Sequence, residues 1–282
     1  MNEFDWIKFL KSKIRKTKVV LTGIGDDCAV IKLSNKYYLV SSDLFIENVH
    51  FRIKNIPYRV VGQRAIARAF SDIAACGGLP KFVGVSMGLP YYVKEKDLKE
   101  IVEGVVSTCK NYRATIIGGD TARAGKLFID IWVIGEAKRV VLRSQAKSGD
   151  YIFVTGILGK LRFNKLFRPK IKEASYLVKR FKINSMIDIS DGFIIDLYRI
   201  LEASKKGAII WKNKIPIYKG LSDVFRGEDY ELIFTVDKKE PNLKVLINKF
   251  YLVGRIRDKH FGYCIESRKG IEKVQLKGYL HF

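Results

Sequence analysis

Apolar residues alternate with polar ones through 37–40, 82–87, 114–117 and 128–134, which predicts strands. Between these segments, 58–76 and 94–112 repeat their apolar residues at helical spacing, so the first half reads as a layered α/β unit. The pattern lapses across 144–150, where turn formers cluster, and that stretch reads as a linker. It resumes with a strand at 151–155, helices at 173–181, 193–203 and near 243–250, and strands at Ile209, 231–236, Leu252 and Tyr263. The expected architecture is mixed α/β in two units, residues 1–143 and 144–282, with no tandem repeat and no low-complexity segment.

A chain of 282 residues, 48% of them hydrophobic, can bury a substantial core in either one or two domains. The first eight residues carry acids and read as an amphipathic helix rather than a secretory leader. No apolar run approaches the roughly 18 residues of a membrane span, so a soluble cytoplasmic protein with no membrane partner is expected. Cysteines 28, 76, 109 and 264 form no C-x-x-C pair, and histidines 50, 260 and 281 lack zinc-ligand spacing; the thiols are expected to be free and buried.

Charge adds a choice rather than an answer. The 52 basic against 29 acidic residues, a net charge of +23, fit nucleic-acid binding, attraction of anionic substrates, or a Lys-rich surface suited to high temperature. The most basic stretch, 161–182, interleaves Phe163, Phe167, Tyr176 and Phe181 with its cations, as a base-stacking surface would. The same pattern describes an amphipathic helix with a solvated basic face, which is the favoured reading.

Six acid-bearing motifs punctuate this basic chain: Gly23-Ile-Gly-Asp-Asp27, Ser41-Ser-Asp43, Ser71-Asp72, Gly118-Gly-Asp-Thr121, Asp188-Ile-Ser-Asp-Gly192 and Gly227-Glu-Asp-Tyr-Glu231. Carboxylates in Gly and Ser contexts point to divalent-cation chemistry, because Mg²⁺ takes hard oxygen ligands and is shared between carboxylates and substrate phosphates. The first motif begins like a dinucleotide fingerprint but lacks the third glycine and sets two acids where a pyrophosphate needs N–H groups. With no P-loop either, a nucleotide is expected to be held through metal. Only one of Asp26 and Asp27 is expected to face a given cation, since adjacent side chains of an extended segment diverge. Ser41-Ser-Asp43 is expected at the end of its strand, and Asp72 near a glycine-capped helix C-terminus, where an acid opposes the macrodipole. Gly118-Gly-Asp-Thr121 is expected just after its strand, its glycines allowing close approach of phosphate or metal. Asp188-Ile-Ser-Asp-Gly192 is expected at a strand-to-helix junction, with Ser190 or Asp191 available as N-cap. Taken singly, each motif also fits a turn, a cap or a strand end.

In order, spacing and flanks, these segments together with Glu47-Asn-Val-His-Phe51 and Lys277-Gly-Tyr279 resemble the thiamine-monophosphate kinases. That family belongs to the superfamily that includes aminoimidazole-ribonucleotide synthetase and selenophosphate synthetase. The resemblance runs from residue 23 to the C-terminus. It implies ATP-dependent phosphorylation of thiamine monophosphate to thiamine diphosphate, with several Mg²⁺ ions, on a two-domain aminoimidazole-ribonucleotide synthetase-like fold that forms a homodimer through its N-terminal halves. Carried over by position, Asp27, Ser41, Ser42, Asp43, Asp72, Asp120, Asp188 and Asp191 match Mg²⁺ ligands. Gly119, Asp120, Arg143 and Ser190 match ATP contacts, with Tyr112 added, and His50, Glu228 and Tyr279 match contacts to thiamine monophosphate. Asp43, Asp72, Asp120 and Arg143 are the implied catalytic set.

Four features depart from the family pattern. Arg226 stands where a second glycine is usual, the segment after Gly159 is short, Ala69 replaces a frequent asparagine and Ala122 a frequent threonine. The nearest alternative is a sister synthetase, although a selenophosphate synthetase would place a reactive Cys ahead of the first acid motif and none precedes Cys28. From a different class, a nucleic-acid-binding protein would use 161–182 and ignore the carboxylates.

Overall fold

The computed structural model describes residues 3–15, 17–162 and 164–279; the first two of the eight N-terminal residues, Phe163 and His281, all mentioned above, lie outside them. The expected N-terminal helix is α1 (Glu3–Lys13). Strands β1 (Val20–Thr22), β2 (Ala29–Leu33), β3 (Lys36–Ile46), β4 (Leu79–Leu89), β5 (Thr115–Arg123) and β6 (Phe128–Ala137) form one sheet in the order β1-β2-β3-β6-β4-β5. Only β4 and β5 pair in parallel; the other neighbours are antiparallel. Helices α2 (Tyr58–Ala75) and α3 (Glu95–Asn111) complete this half.

Alternation along β3 and β6 sorts the two faces of the sheet. Leu39, Phe45, Ile129, Ile131 and Val133 point inward and share a core with Ile66, Phe70 and Ile73 of α2. The residues between them, such as Val40, Leu44 and Trp132, occupy the other face.

The second sheet contains β7 (Tyr151–Val154), β8 (Ile183–Asp188), β9 (Lys206–Trp211), β10 (Leu232–Val236), β11 (Tyr251–Asp258), β12 (Tyr263–Ser267) and β13 (Gly270–Lys273). Its order is β13-β12-β9-β11-β7-β10-β8, accompanied by α4 (Ile171–Arg180), α5 (Phe193–Ser204) and α6 (Leu243–Lys249). Strands β8 and β10 are buried along their whole length, because each face is covered. Phe153, Met186 and Phe234 turn toward α2 and α4 and join the core of the first sheet, while Ile152, Ile187 and Ile233 pack with Phe193 and Leu197 of α5. One continuous apolar core therefore links the sheets, and edge strand β8 lies against α2.

Two expected boundaries move. Ser41–Asp43 lies within β3 rather than at its end, because the strand continues through Leu44, Phe45 and Ile46 after three polar residues. Gly118–Thr121 likewise sits inside β5, where a bulge between the pairs Val83/Ile116 and Gly84/Gly118 keeps the ladder going. All four cysteines are buried and free, as expected. Of the aromatic residues in the basic stretch, Phe167 and Phe181 are buried, so they pack on protein rather than offering a stacking face. Among the described residues, no helix is long and apolar enough to cross a membrane.

Candidate active site

Asp72 occupies the last turn of α2, which ends in a Schellman arrangement: Gly77, at φ +77°, donates its N–H to the Ala74 carbonyl (2.8 Å), and Gly78 donates to that of Ile73 (2.9 Å). Asp188 ends β8, and the Gly23–Cys28 loop supplies Asp27. These three carboxylates converge, each offering an oxygen within 4.8 Å of the others.

Asp72 and Asp188 find only hydroxyls in reach. The Ser41 Oγ donates to Asp72 (2.5 Å) and the Ser71 Oγ to Asp188 (2.6 Å); among the described residues neither acid has an ion pair. Burial, followed by the charges of Asp188, Asp43 and Asp27, pushes the Asp72 carboxyl well above its ordinary value. The Asp188 carboxyl rises for the same first reason, with Asp27 next. Buried acids that repel one another and face hydroxyl oxygens fit a hard divalent cation. Asp26, pushed up to about 7 by burial and by its neighbour Asp27, takes the Arg143 backbone N–H (3.1 Å) and stands with Asp27 around Cys76.

The other acids of the site are gripped by guanidinium groups. Arg143 forks onto Asp27 through Nε (3.1 Å) and Nη2 (2.6 Å). Arg68, one turn before Asp72 on α2, forks onto Asp43 at 3.0 and 3.1 Å and reaches Glu228 (2.5 Å) and the Tyr230 hydroxyl (2.7 Å). Arg64, fully buried, donates to Glu228 (2.6 Å) and to the Lys165 carbonyl (2.8 Å). Arg199 bridges Asp191 and Asp196, both at 2.6 Å.

Local backbone geometry sets up these contacts. Ser190 and Asp191 were available as N-caps, and neither caps α5. Gly192 holds the N-cap position, and Asp196 in the first turn of the helix turns back to accept the N–H groups of Ser190 (3.0 Å), Asp191 (3.0 Å) and Gly192 (3.1 Å). Beside this turn runs the Gly227–Glu231 segment: Glu228 donates its N–H to the Ser190 carbonyl and Tyr230 to that of Ile189. Glu228 (φ +67°) and Tyr230 (φ +51°) both adopt the left-handed region, which costs a non-glycine residue on the order of 1 kcal/mol or more. That strain is held by the arginine contacts of Glu228 and by Phe167, whose ring stacks on Tyr230 at 4.0 Å.

A cleft of about 520 Å³ opens over these elements, a size suited to a small-molecule ligand. It brings together Ser42, Asp43, Asp72, Asp188, Ser190 and Asp191 with His50, Glu228 and Tyr279. The His50 ring is buried, accepts the Ile46 N–H at Nδ1 (3.0 Å) and lies against Phe45, so it is anchored in the cleft wall and is not a surface histidine. Tyr279 docks through its N–H on the Asp191 carbonyl (3.0 Å).

Other expected site residues stand apart from the cleft lining. Gly119 and Asp120 lie on β5, the exposed edge strand, where Gly119 passes so close to β4 that a Cβ would fall 1.8 Å from the Val85 carbonyl oxygen. Asp120 shares a sheet row with Ser86 and Asp130, on the face that carries Ser42. Ser42 itself donates to Asp130 (2.8 Å). Tyr112 closes α3 and packs edge-on against Phe70 (5.6 Å).

Sequence reasoning overlooked Arg64, Arg68, Asp130, Asp196, Arg199 and Tyr230. The available signal was charge inside apolar runs: Arg64 and Arg68 interrupt Ala65-Ile-Ala67 and Ala69-Phe70, and Asp196 interrupts Phe193-Ile-Ile195 and Leu197.

The family model for AIR synthase related proteins, N-terminal domain, matches residues 25–137. The chain is 36% identical to the thiamine-monophosphate kinase of Buchnera aphidicola subsp. Schizaphis graminum, across 97% of this chain and 94% of that one. It is 31% identical to that of Bacillus subtilis across the full length of both. Among solved structures, it superposes on AaThiL complexed with AMPPCP and TMP with a TM-score of 0.85 at 27% identity, covering 100% of this chain and 97% of that one.

Proposed function

Because the chain belongs to the thiamine-monophosphate kinase family, we infer that it transfers the γ-phosphoryl group of ATP to thiamine monophosphate, giving thiamine diphosphate. The observation that carries this reading is the position of the Asp27–Asp72–Asp188 cluster beside a ligand-sized cleft. The acceptor is a phosphate oxygen already ionised near neutral pH, so the reaction needs alignment and charge neutralisation more than a general base.

Mg²⁺ is the proposed cation, for the oxygen-only donor set fits it. When bound it supplies charge neutralisation for two mutually repelling anions. Asp27, Asp72 and Asp188 would hold it with Ser41, Ser42, Asp43 and Asp191, and Asp120 would join from β5. Arg143, Ser190, Gly119, Asp120 and Tyr112 are proposed for ATP. The anchored ring of His50, the doubly held carboxylate of Glu228 and the Tyr279 ring at the cleft mouth are proposed for thiamine monophosphate. A thiazolium cation gains from an aromatic face of that kind.

A homodimer through the first sheet is supported by its outer face, where Phe82 (41% exposed), Leu44 (47%) and, on edge strand β5, Ile117 (53%) leave apolar surface open to solvent. The proposed division into 1–143 and 144–282 is supported by the sequence falling into two sheets. A cytoplasmic setting remains part of the proposal, with four buried free thiols in its support.

The direct test supplies the protein with thiamine monophosphate, ATP and Mg²⁺ and follows ADP release together with the diphosphate product. Stoichiometric formation of both is expected. A folded protein that makes neither overturns the assignment, and salt-dependent retention on RNA would then favour the nucleic-acid reading.

A further inference from the structure

Among the described residues, Arg68 is the one guanidinium that joins the two sets of acids in the cleft. Its Nε and Nη2 occupy both oxygens of Asp43, while its Nη1 serves Glu228 and Tyr230. Asp43 belongs to the proposed cation ligands and Glu228 to the proposed substrate contacts, so a single side chain ties the two functions together.

That tie conflicts with cation binding. Arg68 and Asp43 have side chains only 11% and 22% exposed, where water screens charge poorly. A divalent cation on Asp43 would sit against the guanidinium, and like charges at that separation repel. Glu228, by contrast, does not depend on Arg68 for its orientation. Arg64 also holds it at 2.6 Å, and Arg64 is pinned by the Lys165 carbonyl and by the Phe167 ring, 5.2 Å away. Arg68 is the more exposed of the two arginines, and it lines the cleft. The rings of Phe45 (5.3 Å) and Tyr230 (5.8 Å) flank its guanidinium and would retain cation–π attraction as it moves.

We propose that Arg68 is an internal counterion that changes partners: it grips Asp43 before the cation binds, and once displaced it turns its freed Nε–Nη2 edge to the phosphate group of the acceptor. This rests on the functional reading above. Charge follows the same sequence. Asp43 and Glu228 balance Arg64 and Arg68, a cation on Asp43 upsets that balance, and an anionic phosphate restores it. The edge that forks a carboxylate has the geometry to fork a phosphate.

The test measures cation binding and substrate binding separately. Mn²⁺ titrated into nucleotide-free protein, read by electron paramagnetic resonance, should bind Arg68→Met about threefold to tenfold more tightly than wild type, because Asp43 has lost its competitor. Calorimetry with thiamine monophosphate, a non-hydrolysable ATP analogue and Mg²⁺ should show the same variant binding the acceptor about tenfold more weakly. A purely structural Arg68 would weaken both. Unchanged or weaker Mn²⁺ binding therefore overturns the proposal, as does unchanged acceptor binding. Arg68→Gln removes the charge but keeps a polar side chain of similar length, and gives the same Mn²⁺ result if the Met variant does not fold. The Mn²⁺ measurement requires no turnover, so failure of wild type to phosphorylate thiamine monophosphate would count against the assigned reaction and not against the exchange at Asp43.

Discussion

On the floor of the cleft, Asp72 and Asp188 are met by serine hydroxyls, whereas Asp43, Asp191 and Glu228 along its walls, and Asp27 behind the floor pair, are each gripped by an arginine. The residue chemistry is the same, and the physical state is not. A carboxylate with a guanidinium partner is neutralised where it stands, and it can orient its neighbours. A buried carboxylate hydrogen-bonded to a hydroxyl and lacking an ion pair keeps most of its cost of desolvation, which pushes Asp72 and Asp188 upward even though the charge of Arg143 opposes the rise at Asp188. The floor is built to be completed by a cation, whereas the acids around it already hold a counter-charge with which a cation must compete. Removing an acid from the floor and an arginine from around it should therefore have opposite effects on stability.

The largest effect is expected on the floor. Asp72→Asn and Asp188→Asn should each lower kcat by about two to three orders of magnitude, since each removes a charge that positions the reacting phosphates. In cation-free protein at pH 7, the same substitutions should leave the melting temperature unchanged or raise it, because they relieve buried repulsion. Turnover close to wild type, with melting lowered, would show that the floor carboxylates are structural and erase the distinction.

The arginines around the floor should respond the other way. Arg143→Met leaves Asp27 buried without its bidentate partner, and such a break costs on the order of 3 kcal/mol. The loss should be largest without divalent cation and partly recovered in millimolar Mg²⁺, because a cation bound only to the folded state stabilises it. Thermal melts with and without Mg²⁺ decide the matter. A loss that Mg²⁺ does not reduce would separate Asp27 from the cation site.

How much of this contrast could be read in the chain depended on distance along it. Helix α2 and the strands flanking it followed from periodicity, and every floor acid lay in a motif recognisable by its Gly and Ser neighbours. The strand ends were harder to place: Ser41–Asp43 and Gly118–Asp120 look like terminators, yet pairing with β6 and β4 carries the ladder through them. The wall arginines were out of reach, since Arg64 and Arg68 meet Glu228 from 164 and 160 residues away. A motif names the acid, and only the fold names its counterion. Asp196 was hidden for a related reason: one turn into the helix, it accepts three N–H groups at once, so neither Ser190 nor Asp191 takes the N-cap position open to it.

The smallest effect concerns an acid outside both regions. Asp229 accepts the Gly159 N–H at 2.8 and 3.0 Å, fastening the shortened loop to the Gly227–Glu231 segment. Burial pushes its carboxyl up to about 7, helped by the charges of Glu231 and Asp223 and opposed by the Gly159 N–H and by Arg226. A raised folded-state value means that the native protein binds this proton more tightly than the unfolded chain does. Its stabilising contribution is therefore fully present below about pH 4 and is lost as pH rises through about 7. Asp229→Asn keeps an oxygen for the Gly159 N–H but cannot titrate. The variant's melting temperature minus that of wild type should be flat below pH 4 and climb by a few degrees up to neutral pH. Taking the difference cancels the titration of the floor acids, which both proteins share. A difference that stays level across that range would show that Asp229 ionises as easily in the fold as in water, and that its loop is held by contacts other than this buried carboxyl.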